Sequence, residues 1–215
     1  MASYSDCHGC ALCLLSCPMW LQKRDVRFSP QGIAKALQHG AIAEDIAEEV
    51  STCIDCGACD LLCPEQIDLS AMISSLRSAS TCEPESEVEP AHVDMGGCDA
   101  RLHMHLTADD LFIIDALSFH AHYVQRLAHY DALRKSTGCQ MNLDLNRMAI
   151  ATGVGSRADA GGMFDVTSQI QWLMQGRSFE RVIVENSEDQ VMLAQLSGKP
   201  VICLSDLIRS EKKDA

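Results

Sequence analysis

Two runs of cysteine are the residues in this sequence best suited to carry chemistry. The chain has 12 cysteines, and eight of them repeat one spacing, in which two residues separate the first three cysteines and three residues precede the fourth. The first run is Cys7, Cys10, Cys13 and Cys17, followed by Pro18, and the second is Cys53, Cys56, Cys59 and Cys63, followed by Pro64. Three thiols this close in sequence can wrap around one face of a metal centre, and a fourth before a proline can reach a neighbouring centre.

This spacing holds [4Fe–4S] clusters in bacterial ferredoxins, and two such runs in one chain rarely arise by chance. On the ferredoxin rule, one cluster takes Cys7, Cys10, Cys13 and Cys63, and the other takes Cys53, Cys56, Cys59 and Cys17. The sequence therefore predicts two [4Fe–4S] clusters as cofactors and indicates no catalytic residue. Two zinc knuckles are the alternative, although zinc sites usually keep two C-x₂-C pairs apart.

Composition limits the classes of protein to consider. The chain has 215 residues, 47% of them apolar and 22% charged, which is typical of one large or two small soluble domains. No apolar run is long enough to span a bilayer, and the first residues lack the pattern of a cleaved leader. Because clusters need reduced thiols, we expect a cytoplasmic location. The net charge of −13 argues against binding to nucleic acid or directly to anionic lipid.

The elements around the cysteine runs are predicted to be helical. Ser29-Pro30 indicates a helix start and Gly40 its end. Apolar residues at helical spacing predict further helices over 42–50 and 69–77. Small residues inside the cysteine loops would let backbone amides approach the sulfurs. These small residues are Gly9, Gly57 and Ala58. The sequence thus predicts an α-helical two-cluster ferredoxin domain over residues 1–80.

Residues 5–80 resemble the helical dicluster ferredoxin domain of heterodisulfide reductase C subunits. Similar domains occur in the iron–sulfur subunits of glycolate oxidase, lactate-utilisation enzymes and anaerobic glycerol-3-phosphate dehydrogenase, and more distantly of succinate dehydrogenase. Beyond the two runs, the resemblance lies in Cys17-Pro18-Met19, in Ser29-Pro30 and in the segment Cys53 to Gly57. It covers about a third of the chain and is specific for the domain rather than for one enzyme.

The resemblance implies a function and a set of partners. The chain would be a non-catalytic electron-transfer subunit of an oxidoreductase complex, relaying single electrons through both clusters. Its partners would be a flavoprotein dehydrogenase on one side and a heterodisulfide-reductase-B-like or membrane quinone-linked subunit on the other. Membrane association would then be indirect, through those subunits, without direct insertion.

The second half of the chain has a different pattern. Residues 81–98 are acidic and contain prolines, which indicates a linker. Beyond it, apolar runs alternate with helical periods, so residues 99–215 are predicted to form a small α/β domain with a mainly parallel sheet. The predicted strands are 111–114, 147–151, 181–185 and 201–204, and the predicted helices are 123–136, 165–175 and 187–196.

The order of elements in this half is similar to that of the cysteine-rich (CCG) domains of heterodisulfide reductase B-type subunits. Those domains carry a paired Cys-Cys-Gly, whereas this chain has the single cysteines Cys98 and Cys139 after glycine. We therefore expect a degenerate domain that serves for docking. The alternative is a small reductase that binds substrate or a third cofactor in this domain.

Several other residues keep two interpretations. Cys203 lies in an apolar run and is expected in the core, while Cys82 has no evident partner and Cys98 and Cys139 are either structural thiols or metal ligands. The pairs His103/His105 and His120/His122 would each share one face of a strand and could bind one ion, or they are ordinary surface histidines. Gly153 to Ala158 matches a dinucleotide fingerprint in form, but a flexible loop is favoured because another loop precedes the next helix.

Overall fold

Short helices surround the cysteine runs in the computed structural model, which describes residues 2–80, 102–143, 147–152 and 166–209. The described residues fall into two compact units, of which the first contains residues 2–80 and the second contains the rest. The predicted linker, 81–98, lies outside the described residues, so its boundaries stay a prediction. Across the described ranges, no helix has both the length and the apolar character needed to cross a membrane.

The first unit is helical, as predicted. Its α-helices are α1 (Pro18–Lys23), α2 (Pro30–Gln38), α3 (Ala47–Ser51), α4 (Ala58–Leu62) and α5 (Leu69–Ser80). Single 3₁₀ turns lie at Tyr4–Asp6, Leu12–Leu14, Val26–Phe28 and Ala43–Ile46. The last of these turns and α3 replace the continuous helix predicted over 42–50. Helices α1 and α4 were not predicted, because each is only about one turn long and shows no apolar period.

Helix α2 begins where the sequence indicates. The Ser29 hydroxyl accepts a hydrogen bond from the Gly32 amide at 3.0 Å and donates one to the Val26 carbonyl at 2.6 Å. A Cβ added at Gly32 would lie 2.0 Å from that same carbonyl oxygen, so only glycine allows the helix to pack this closely on the Val26–Phe28 turn. The Ser29 cap and Gly32 together determine where α2 begins and how closely it packs on the Val26–Phe28 turn.

The core of the first unit includes two cysteines of the first run. One cluster of buried side chains contains Cys17, and a second contains Cys13. The apolar members of the first cluster are Met19, Phe28, Ile33, Ile46, Val50 and Ile73, and those of the second are Leu14, Ile67 and Leu69. Folding of the apolar core therefore places two thiols of the first run in the interior, with partly buried cysteines of the second run packed against them.

The second unit is an α/β fold with a four-stranded sheet in the order β2-β1-β3-β4, and all of its strand pairs are parallel. This agrees with the predicted mainly parallel sheet. The strands are β1 (Asp110–Ile113), β2 (Gln140–Met141), β3 (Arg181–Val184) and β4 (Val201–Cys203). The helices are α6 (Leu102–His105), α7 (Ala116–Ala121), α8 (Tyr123–Thr137), α9 (Val166–Met174), α10 (Asp189–Ser197) and α11 (Leu204–Arg209).

The strand predicted over 147–151 is wrong, and the second strand is instead Gln140–Met141. Arg147 has a φ of +63°, which interrupts extended backbone at the start of the predicted strand. The buried Asn142 side chain also binds the segment 147–151 through hydrogen bonds. Its amide group donates to the carbonyls of Ile114 and Ile150 at 2.8 and 2.9 Å, and it accepts from the Ile114 amide at 2.8 Å. The Asn142 side chain, one backbone bond from the Ile150 amide to the Asn142 carbonyl at 2.7 Å and an isolated bridge between Leu143 and Ala149 therefore hold this segment without the regular hydrogen bonds of a strand.

A buried ion pair joins α8 to the end of β3. The Arg126 guanidinium donates to the Glu185 carboxylate at 2.9 Å, and the side chains are only 2% and 8% exposed. Tyr130 donates to the same carboxylate, and the Asp115 amide donates to its other oxygen at 2.8 Å. Burial raises the pKa of Glu185, and the nearby Arg126 opposes that rise. Both oxygens of the Glu185 carboxylate thus have donors within the protein, and removing Arg126 would leave a buried charge uncompensated.

Replacing Arg126 with methionine is expected to destabilise the second unit by about 3–5 kcal/mol. The loss should be larger at mildly alkaline than at mildly acidic pH. Without Arg126 the folded-state pKa of Glu185 rises further, so stability is retained where Glu185 is protonated and falls as pH rises through that pKa. The free energy of unfolding can be measured from the urea dependence of hydrogen exchange in β1 and β3.

Arg134→Met is the matched control, on the same helix. Arg134 is about half exposed and pairs with Asp131 at 3.5 Å, so its loss should cost no more than about 1 kcal/mol. Equal losses in the two variants, or a loss in Arg126→Met that does not depend on pH, would contradict the assigned role of the buried pair.

Candidate metal centres

Three cysteines of the first run and one of the second line the same small cavity. These are Cys7, Cys10, Cys13 and Cys63, here called the first cradle. The remaining wall is formed by Ala11, Gln31, Ile67 and Leu69. Cys63 comes from the second run, so the fold brings together thiols that are about fifty residues apart in the sequence.

A second cavity has the complementary set of thiols. Cys17 lies there with Cys53, Cys56 and Cys59, and these four form the second cradle. Its other lining residues are Pro18, Met19, Pro30, Ile54, Asp55, Gly57, Ala58 and Ser70. The eight cysteines therefore fall into the two groups of four that the spacing predicts, while their role as ligands stays a prediction.

The donor sets suit a polynuclear cluster. All eight cysteines are free thiols. In the ranges 2–80, 102–143, 147–152 and 166–209, no three His, Cys, Asp or Glu side chains converge closely enough to hold a single metal ion. The thiols of each cradle instead stand apart around a cavity, and four cysteine sulfurs are the usual ligand set of a [4Fe–4S] cluster. The residues present therefore fit such a group.

The two cysteine loops follow the same backbone path. Positions two and four residues after the first cysteine are left-handed in both loops, with φ values of +77° and +65° at Gly9 and Ala11, and +54° and +71° at Asp55 and Gly57. A non-glycine residue pays roughly 1–2 kcal/mol for this conformation. Each loop has one such residue, Ala11 in the first and Asp55 in the second. The left-handed backbone is therefore required at these positions in both cradles and does not simply result from the presence of glycine.

Burial dominates the protonation of the thiols. It raises the pKa of Cys13 to about 11 and that of Cys17 to about 12. It also raises the pKa of Cys56 to about 11, against the backbone amide of Ala58, which hydrogen-bonds to that sulfur. The thiols of Cys53 and Cys59 shift in the same direction, again chiefly by burial. Metal binding must therefore displace protons from these cysteines and provide the positive charge that their thiolates lack.

Helix α2 holds the first cysteine loop through two polar side chains. The Lys35 ammonium donates to the Cys7 carbonyl at 2.6 Å and to the Gln38 side-chain oxygen at 2.8 Å. The Gln38 amide group donates to the Tyr4 carbonyl at 2.7 Å and to the Cys7 carbonyl at 3.0 Å. These bonds fix the backbone at the first cysteine and three residues before it.

Helix α5 holds the second loop at the equivalent two carbonyls. The buried Arg77 donates to the Val50 carbonyl at 3.1 Å and to the Cys53 carbonyl at 3.0 Å. Its guanidinium also donates to the Asp55 carboxylate at 2.5 Å. Val50 and Tyr4 are equivalent positions, each three residues before the first cysteine of its run. Side chains of two different helices therefore bind the same two carbonyl groups in both loops.

Asp60 connects the second cradle to the start of α5. Its carboxylate accepts hydrogen bonds from the amides of Leu69 and Ser70 at 2.7 and 2.9 Å, and one oxygen lies 3.8 Å from the Cys59 sulfur. Sequence reasoning missed Asp60, as it missed Lys35, Gln38 and Arg77. Their backbone partners are 9 to 34 residues away in the sequence, so no local spacing indicates them.

The other candidate residues do not form a second centre in the described part of the chain. His103 and His105 lie on helix α6, so their predicted placement on a strand is wrong and residues two apart do not share a face. His120 is buried on α7 and accepts a hydrogen bond from the Ala149 amide at 3.2 Å, while His122 follows that helix.

The remaining cysteines divide in the same way. Cys139 and Cys203 are buried at 1% and 4% exposure, which agrees with the prediction of a core position for Cys203 and gives Cys139 the surroundings of a structural thiol. Cys82 and Cys98 lie outside the described residues, as does the segment 153–158 that matches a dinucleotide fingerprint in form.

Comparisons with known proteins identify the first unit. Residues 3–67 match the family model of the 4Fe-4S dicluster domain. A segment of 78 residues is 31% identical to a protein of Bacillus subtilis (strain 168) named "Probable glycolate oxidase iron-sulfur subunit", and covers 34% of this chain. No solved structure matches the chain at a significant level. Residues 3–67 of this chain therefore match a 4Fe-4S dicluster domain, which agrees with the prediction from the cysteine runs.

The similarity is limited to part of each protein. The matched segment spans only 18% of the Bacillus protein, and the match to the family model ends at residue 67. The resemblance of the C-terminal half to a degenerate cysteine-rich domain consequently stays a prediction based on its element order.

Replacing Arg77 with methionine is expected to loosen the second cysteine loop by on the order of 3 kcal/mol, because Asp55 and two carbonyls lose a buried cationic donor. Hydrogen exchange of residues 50–56 in the chain before cluster assembly measures the effect. Arg27→Met is the matched control, since Arg27 is 68% exposed and pairs with Asp25, two residues earlier, at 2.7 Å and more distantly with Glu49 at 3.8 Å. Unchanged exchange in the Arg77 variant, or an equal effect in the control, would contradict the proposed fastening of the loop.

Proposed function

We propose that this chain is the iron–sulfur electron-transfer subunit of a multi-subunit oxidoreductase and that it binds two [4Fe–4S] clusters. The ligands of one cluster would be Cys7, Cys10, Cys13 and Cys63, and those of the other would be Cys53, Cys56, Cys59 and Cys17. When bound, a cluster of this kind takes up and gives up single electrons. The observation that carries the proposal is the grouping of eight free thiols around two cavities, four to each.

The surroundings of the cavities support an electron carrier. Apolar side chains and cysteines make up most of both linings, and such surroundings limit the access of water to a cluster. The chain's own part is to hold the thiols, fasten the two loops through α2 and α5, and keep two centres within one small unit. Placing two centres in one small unit shortens the path between them, which suits a relay rather than a catalytic pocket.

The partners belong to the same proposal. The name of the Bacillus relative describes an iron–sulfur subunit, which supports a role within a complex. By the family resemblance, a flavoprotein dehydrogenase would supply electrons, and a heterodisulfide-reductase-B-like or quinone-linked subunit would accept them. The second unit would then serve for docking to one of these subunits, on the cytoplasmic side of the membrane.

Metal analysis of the full chain, assembled anaerobically, tests the cofactors. We expect about eight iron atoms and about eight acid-labile sulfides per chain, with the broad visible absorbance of iron–sulfur proteins. A colourless protein that contains zinc and no sulfide would overturn the proposal. Clearly more iron, or bound flavin, would instead favour the alternative of a small reductase.

Paired substitutions test which cysteines share a cluster. Cys10→Ala with Cys63→Ala removes two thiols of the first cradle and should leave one cluster, or about four iron atoms. Cys56→Ala with Cys63→Ala removes two thiols of one run but of different cradles, and should damage both clusters. Iron content and electron paramagnetic resonance of the reduced protein measure the outcome.

The reverse result, with about four iron atoms retained only when both substitutions lie in one run, would mean that each run binds its own cluster. Cys139→Ala is the control, because Cys139 is buried in the second unit and lines neither cradle. It should leave the iron content unchanged.

A further inference from the structure

The two cradles differ in charge at one pair of equivalent positions. Asp55 occupies the second loop where Gly9 occupies the first, two residues after the opening cysteine in each case. A Cβ built at Gly9 would lie 3.3 Å from the Lys35 side chain, so this cation sits directly against the first loop. Glycine brings no carboxylate to Lys35, whereas Asp55 pairs with Arg77 at 2.5 Å.

The charges near the two cradles therefore do not match. At the second cradle, the carboxylates of Asp55 and Asp60 stand against the single guanidinium of Arg77. At the first cradle, the ammonium of Lys35 bonds only to neutral oxygens, those of Cys7 and Gln38, among the residues that the structure describes. Two carboxylates stand close to first-cradle cysteines in the sequence, Asp6 directly before Cys7 and Glu65 two residues after Cys63. Both are exposed, with Asp6 bonded to the Ser3 amide and Glu65 facing His8 at 4.0 Å, so water screens their charges.

The cradles also differ in their exposure to water. Cys10 of the first cradle is exposed, and its equivalent Cys56 is only partly exposed. Leu12 is 42% exposed, whereas Ala58 at the equivalent position is 2% exposed. Reduction adds one negative charge to a cluster, and both water and a nearby cation stabilise that charge, while carboxylates and burial oppose it.

We propose that the cluster of the first cradle has the higher reduction potential and is reduced before that of the second cradle. The difference in charge and the difference in exposure act in the same direction. At the first cradle, Lys35 and exposure to water favour the reduced cluster. At the second cradle, Asp55, Asp60 and burial disfavour it. This inference rests on the proposed function, and it adds the order of reduction. With both clusters bound, an electron that enters the chain would reside at the first cradle, where Cys10 is exposed.

A redox titration of the full chain with both clusters, followed by electron paramagnetic resonance, tests the order. Lys35→Gln keeps a polar group near the Cys7 carbonyl but removes the charge. It should lower the higher of the two potentials by about 59 mV, a tenfold change for a one-electron couple, and leave the lower one in place. Asp55→Asn should raise the lower potential, and asparagine tolerates the left-handed backbone at this position.

Lys35→Arg is the matched control, because it keeps the positive charge and should leave both potentials near their original values. The inference is overturned if Lys35→Gln moves the lower potential, if Asp55→Asn raises the higher one, or if Lys35→Gln and Lys35→Arg act alike. Should Lys35→Gln fail to bind iron in the first cradle, the Asp55→Asn titration decides alone. Failure of the parent chain to bind clusters would instead refute the proposed function, so the two failures are distinguishable.

Discussion

The first unit depends on one constraint, which is that each cavity draws cysteines from both runs. Neither run can form its cavity until the other lies beside it, so the helices between them must turn the chain back on itself. Cys17 shows how this is achieved. It directly precedes Pro18 at the start of α1, and its thiol packs in the core with Met19 and Phe28. Because burial of these side chains stabilises the fold, the apolar core also positions a thiol that the second cradle requires.

The same constraint explains why both cysteine loops are fastened through their carbonyls. A loop with left-handed residues has few internal hydrogen bonds, and its carbonyl groups need donors from elsewhere. Lys35 and Gln38 provide these donors at Cys7 and Tyr4, and Arg77 provides them at Cys53 and Val50. The two loops share one backbone conformation and therefore need hydrogen-bond donors at the same carbonyl groups. Helices α2 and α5 provide these donors with different side chains. Because the side chains differ, the two cradles acquire different charges.

Much of the fold and the grouping of the cysteines could be predicted from the sequence. Fixed spacing indicates chemistry that local geometry controls, as in the two runs, and Ser29-Pro30 marks a helix start for a local reason. The side chains that fasten the loops could not be predicted, because Arg77 acts on carbonyls 24 and 27 residues away. The wrong strand at 147–151 has a similar cause. Its apolar residues suit a strand, but the contact with Asn142 decides its conformation, and no pattern within the segment reveals that contact.

The polar residues at the carboxyl edge of the sheet bear on whether the second unit binds a ligand. In parallel α/β sheets, ligands bind beyond the carboxyl ends of the strands. Here Asp115, Asn142 and Glu185 follow the ends of β1, β2 and β3 closely, at the edge where a ligand would need polar groups. Asn142 is engaged by two backbone segments, and Glu185 by the Asp115 amide and by Arg126. Since a ligand would have to displace these buried bonds, at roughly 1–3 kcal/mol for each group left unsatisfied, the described part of this edge is built to hold the sheet together.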